Sequence, residues 1–161
     1  MIEGFDYGNS PSQIEKIDFT EKTIIHTTSA GTQGIENAVN AEQILTGSLV
    51  NAKAIAHYIL SQKTTTVSLV CMGLHALYPT AEDTLCAEYI KSLLEGEELD
   101  IAPQINNLRY TDGAKFFDKE QQNVFPEEDF YLCTDINKFN FVLKAEKNIN
   151  NQYCIHKIDM N

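Results

Sequence analysis

Between Lys22 and Gly96 the sequence passes three times from a short apolar, β-rich run to a stretch of helical period. Strand–helix alternation is what a parallel sheet requires, because each parallel strand needs a crossover before the next. KTIIHT (22–27) reads as the first strand, and after TSAGT a short helix runs from about Gln33 to Asn40. QILTG (43–47) reads as a second strand, and Ser48 can cap a helix over LVNAKAIAHYILSQ. Leu49, Ala52, Ile55, Ala56, Ile59 and Leu60 fall on one face of that helix. TTVSLVCM (65–72) ends in a near-continuous apolar run, as a strand covered on both faces would. The third helix, AEDTLCAEYIKSLLEG (81–96), presents Leu85, Tyr89, Leu93 and Leu94 and stops at Gly96. The expected fold class is α/β: a three-layer α/β/α domain with a mainly parallel sheet and right-handed crossovers.

The rest of the chain has another texture. Residues 101–134 read as broken helix, and FNFVLKAEKNINNQYCIHKI (139–158) reads as two strands around an Asn-rich turn. A C-terminal antiparallel hairpin at a sheet edge is therefore expected. With 161 residues, one domain over 1–161 is expected. A net charge of −11 repels a phosphate backbone and argues against nucleic acid as a partner. The apolar runs are too short to cross a membrane, and MIEGFDYGNS has neither the basic nor the apolar region of a signal peptide. Cys71, Cys86, Cys133 and Cys154 show no C-x-x-C spacing, so reduced, mostly buried thiols in a cytoplasmic protein are expected.

Four segments hold chemistry. In HTTSAGTQG (26–34) hydroxyls and glycines stand where a strand gives way to a helix. Backbone N–H groups there, with Ser and Thr hydroxyls, suit a phosphate or carboxylate. The structural alternative is that Ser29 or Thr32 caps the helix while Gly31 serves the turn. In PTAEDT (79–84) Glu82 and Asp83 could hold Mg²⁺, which needs only one or two carboxylates beside water and substrate phosphate. The alternative is a capping box, Thr80 with Asp83, in a first turn that favours acids by about 0.3–1 kcal/mol each. FPEEDF (125–130) reads mainly as a helix start, with Pro126 followed by acids. GFDYGNSP (4–11) is either a site loop or an Asx-turn at Asn9 leading into Ser10–Pro11. Of the histidines, His57 falls in a helix and His156 in the last strand, while His26 and His75 fall in loops that could share a cleft.

GFDYGNSP, KTIIHTTSAGTQGI, GSLVNAKAIA, CMG and EDTLCAEYI occur in an order and spacing that resembles the 2-phosphosulfolactate phosphatase (ComB-like) family, from about Gly4 to about Leu94. FPEEDFYLCTDINKF is similar to its bacterial members. The resemblance implies an α/β/α fold and a Mg²⁺-dependent, cytoplasmic phosphatase. Its named reaction hydrolyses 2-phospho-3-sulfolactate to sulfolactate and phosphate, a step toward coenzyme M. Asp6, Asn9 and Ser10 match the family's first loop, and Thr27, Thr28, Gly31 and Thr32 its hydroxyl loop. Asn51 matches its Asn-Ala, and Glu82 and Asp83 its acidic pair. The family's further N-terminal region lacks a counterpart here, so the chain corresponds to the C-terminal portion of the full length. An exposed sheet edge, a partner chain or a homo-oligomer is then expected.

On this reading Glu82 or Asp83, with Asp6, would hold Mg²⁺, while loop 28–32, including Ser29, would hold the phosphoryl oxygens of a small phosphorylated organic acid. The nucleophile is a metal-bound water, Asp6 or Cys86. The rival reading is a non-catalytic fragment or subunit that binds ligand or oligomerises.

Overall fold

The computed structural model describes residues 3–97 and 99–161. Six α-helices appear among these residues: α1 Pro11–Ile14, α2 Gly31–Asn37, α3 Ala52–Ser61, α4 Ala81–Glu95, α5 Ala102–Leu108 and α6 Glu127–Thr134. Three strands accompany them: β1 Ile44–Thr46, β2 Phe141–Lys147 and β3 Tyr153–Asp159.

The α/β class stands, but the paired sheet is antiparallel throughout, in the order β1-β2-β3. Strands β2 and β3 form the expected hairpin, from Phe141 opposite Asp159 to Lys147 opposite Tyr153. The Asn-rich turn closes with Asn148 N–H donating to Gln152 O at 2.9 Å, and Asn151 takes the left-handed conformation. β1 lies antiparallel on β2, with Thr46 opposite Leu143.

The two strands expected at 22–27 and 65–72 have no ladder among the described residues. Apolar, β-branched sequence favours extension, but a strand also needs a neighbour to accept and donate its hydrogen bonds. Ile25 is 82% exposed and Val70 72% exposed.

Helix α4 organises the core. Its Leu85 packs with Leu49, Ile101, Leu108 and Phe130, while Ile90 packs with Ala52, Ala54, Ile55 and the fully enclosed Val142. Cys86 and Tyr89 of the same helix touch both clusters. Leu60, expected on the buried face of α3, is 54% exposed, whereas its neighbours Tyr58 and Ile59 pack on the core. Gly96 ends α4 in the left-handed conformation (φ 75°), and Glu97 N–H bonds back to Ser92 O at 2.8 Å. Residues 101–134 form α5, a 3₁₀ turn at Ala114–Phe117 and α6, as the broken pattern suggests. Buried Gly113 lets the chain pass under Phe130: a Cβ there would lie 2.7 Å from Phe130 Cε2.

Candidate functional site

The start of α4 is where three distant parts of the chain meet. Asp83 does not complete a capping box with Thr80, whose side chain makes no cap bond. Asp83 Oδ2 instead accepts the Gly73 N–H at 2.7 Å, and Cys71 Sγ donates to the Asp83 carbonyl at 3.4 Å. These contacts hold the end of the 65–72 segment against the first turn of α4. The intervening loop doubles back tightly: Leu74 and Tyr78 exchange backbone bonds at 2.8 and 3.2 Å, with His75 and Ala76 left-handed. Gly73 is required here, since its φ is +60° and a Cβ would collide with Tyr78 O.

The open N–H of Ala81 is taken by Asp112 Oδ2 at 2.6 Å, a cap supplied from the turn after α5. Partial burial, then the hydrogen bond and charge of Asp112, hold the Glu82 carboxyl above its ordinary range. Glu82 and Asp112 are thus neighbours at the start of α4, while Asp83 of the same turn is tied to Gly73. No sequence motif marks Asp112; only the fold brings it to α4.

In the hydroxyl loop Thr28, rather than Ser29 or Thr32, does the capping. Thr28 Oγ1 accepts the Thr32 N–H at 3.1 Å, and Thr32 Oγ1 donates to Thr28 O at 3.0 Å. Gly31 opens α2 beside Thr28, where a Cβ would stand 3.2 Å from Thr28 Oγ1. The Ser29 carbonyl accepts Gln33 Nε2 at 2.8 Å, and Thr27 is exposed. Gly34 of α2 lies against the Met72 side chain, so this loop and the acid-bearing loop are neighbours across Met72.

The remaining candidates fall elsewhere or are already engaged. Asp6 and Asn9 are exposed, and Gly4 is left-handed in the loop that carries them. Ser10 is buried, with its Oγ 3.3 Å from Ser12 Oγ. Ser12 N–H donates to buried Asp129 at 2.8 Å, docking α1 on α6. FPEEDF therefore does more than start a helix: its third acid caps another helix from a distance of 117 positions.

Asn51 is buried and occupied. Its Oδ1 accepts from Ser48 N and Ser48 Oγ at 3.3 and 3.0 Å, and its Nδ2 donates to Phe141 O at 3.2 Å, fastening α3 to β2. Burial, then Asp83 and Cys71, push the Cys86 thiol up to about 12, so it stays protonated at neutral pH and is a weak nucleophile. Burial, then the charges of Asp83 and Glu88, also raise Cys71. The expectation of mostly buried thiols holds only in part: all four are free, and Cys71 and Cys133 are exposed.

Among the described residues no three His, Cys, Asp or Glu side chains converge on one point, so Asp6 is not gathered with Glu82 and Asp83. The carboxylates at α4 still suit Mg²⁺ in kind, because that ion is commonly held by one or two carboxylates and completes its shell with water and substrate oxygens.

A family model described as 2-phosphosulpholactate phosphatase matches residues 1–148. The chain belongs to the 2-phosphosulpholactate phosphatase family. Within it, a "probable 2-phosphosulfolactate phosphatase" of Caldanaerobacter subterraneus is 32% identical over 160 residues, covering 92% of this chain and 66% of that protein. The Bacillus subtilis protein of the same description is also 32% identical, over 91% of this chain and 64% of its own length. A Caldicellulosiruptor saccharolyticus member reaches 41% over 96 residues. The chain thus spans just under two thirds of the length of the Caldanaerobacter and Bacillus relatives. No helix among its described residues is long and apolar enough to cross a membrane.

Proposed function

We propose that this chain carries the phosphate-binding and acidic elements of a Mg²⁺-dependent phosphatase. Its substrate is 2-phospho-3-sulfolactate or a related small phosphorylated hydroxy acid, as the relatives' descriptions suggest. The observation that carries the reading is the meeting of two loops: Gly34 rests on Met72, and Gly73 is tied to Asp83. A hydroxyl loop and an acidic helix start, 50 residues apart in the chain, are thereby brought together.

Each residue has a defined part. Thr28 and Thr32 fix the turn, and the backbone N–H groups of Ser29–Gly31, which have no backbone partner among the described residues, would take the phosphoryl oxygens. Glu82 would hold Mg²⁺ with Asp112, while Asp83 positions the Gly73 loop beside them. Mg²⁺ supplies charge neutralisation on the phosphoryl oxygens. The protonated Cys86 thiol leaves water as the attacking group. The family's cytoplasmic setting and its place on the way to coenzyme M belong to this same proposal.

Phosphate release from 2-phospho-3-sulfolactate, and from a panel of phosphorylated hydroxy acids, tests it in Mg²⁺ and in EDTA. The assay is run on this chain alone and with the part of the Bacillus subtilis relative outside the match. Mg²⁺-dependent release that Glu82→Gln abolishes is expected, with the variant's circular dichroism unchanged. Release that persists in EDTA, or in Glu82→Gln, refutes the metal and residue assignments. No release from any substrate in either format refutes the activity.

A further inference from the structure

Segments 22–27 and 65–72 both carry exposed apolar side chains. Thr23–His26 and Thr64–Val70 make no backbone–backbone hydrogen bond among the described residues. Ile24 and Ile25, neighbours in the first segment, are 61% and 82% exposed. In the second, Leu69 packs on the α3–α4–β2 cluster while its neighbour Val70 is 72% exposed. Unpaired chain of this β-branched composition is a template for strand pairing. The Gly34–Met72 contact brings α2 to the far end of 65–72, as consecutive strand–helix units of one sheet would require.

We infer that these two segments are sheet strands completed by a strand-forming segment from the part of the family that this chain does not match. Roughly a third of the Caldanaerobacter and Bacillus relatives lies outside the match, ample for several strands and a covering helix. A second copy of this chain fits less well. A two-fold pairing adds one strand to one edge, whereas here two edges and the side chains of Ile24, Ile25 and Val70 are all bare. Completion of the sheet would also fix the loops at 27–32 and 71–83, which follow directly on these segments.

The inference rests on family membership and on the bare segments, and its test reads no phosphatase activity. The part of the Bacillus subtilis relative outside the match is supplied to the full 161-residue chain, in trans and through a Gly/Ser linker, and amide hydrogen exchange is followed. Exchange at 23–26 and 65–71 should slow by at least about 100-fold, while β2–β3 amides change little. Ile25→Lys and Val70→Lys should each remove that protection and leave β2–β3 protected. Unchanged exchange at both segments in both formats overturns the inference. So does protection in this chain alone that grows with its concentration, which would assign the edges to a second copy.

Discussion

Residues 22–27 and β2 are built from the same kinds of side chain, yet one is bare and the other is the centre of a sheet. KTIIHT carries two isoleucines and two threonines and has no ladder partner among the described residues, while FVLKAEK is hydrogen-bonded on both sides by β1 and β3. The difference lies in what is adjacent. β2 has a hairpin partner six residues away and α3 pressed on Val142. The partner of 22–27 would have to be another crossover strand. Strand propensity reports fitness for a pleated, half-buried surface and becomes a strand only where that surface is supplied.

The largest contrast should appear in proteolysis. Lys22 and Lys63 flank the bare segments, whereas Lys91 lies in α4 and Lys144 in β2. Trypsin should cut after Lys22 and Lys63 on the order of a thousandfold faster than after Lys91 or Lys144, because cleavage in the packed region waits on cooperative opening. Equal rates would mean that α3, α4 and the sheet are no more cooperative than the bare segments.

Core truncations sharpen the same comparison in stability. Leu85→Ala, which empties a site bounded by Leu49, Ile101, Leu108 and Phe130, should cost about 2–5 kcal/mol in urea unfolding. Val70→Ala on the bare segment should stay within about 0.5 kcal/mol. A comparable loss at Val70 would show that its side chain is covered in solution.

Cys86 reads the packed region through its chemistry. With the thiol pushed up to about 12 by burial, its alkylation by iodoacetamide at pH 8 should be on the order of a thousandfold slower than in the urea-unfolded chain. The sign for stability follows: the folded state holds this proton more tightly than the unfolded state. The contribution is therefore complete below the ordinary value of 9.0 and is lost as pH rises toward about 12. Gly113→Ala forces a methyl toward Phe130 and Leu108 O and should cost about 1–3 kcal/mol.

What could be read from the sequence was local. The β2–β3 hairpin, the body of α4, its Gly96 stop and the existence of β1 each depend on residues within 18 positions of one another. Non-local pairings were not legible. Nothing in QILTG says that Thr46 will face Leu143, and the parallel expectation failed for the paired strands for that reason. The site followed the same division. Thr28, Thr32 and Asp83 were identified as candidates, but their observed partners were not: Thr28 does the capping, and Asp83 leaves Thr80 for Gly73. Asp129 and Asp112 each cap a helix remote in sequence, which an i-to-i+3 search cannot find.

Asp112 offers the smallest and most discriminating test, because it stands on the border of the two regions. It accepts the Ala81 N–H that opens the packed helix, and it raises the carboxyl of Glu82, which lies beside the loop of the bare segment. Asp112→Ala removes the cap and should cost about 1 kcal/mol, offset in part by relief of like charge. Asp112→Asn keeps an acceptor for Ala81 and removes the charge, so its stability at neutral pH should match or exceed that of the parent chain. The sign again follows from Glu82. A carboxyl raised in the folded state contributes stability below its unfolded value and loses it as pH rises through the folded one. In Asp112→Asn the Glu82 titration, followed by carboxyl-directed NMR, should move down. The fall in stability on passing from pH 4 to pH 7 should shrink with it. A Glu82 titration unmoved by both variants would leave burial alone as the cause, and Asp112 would then act only as a cap, outside any acidic pair.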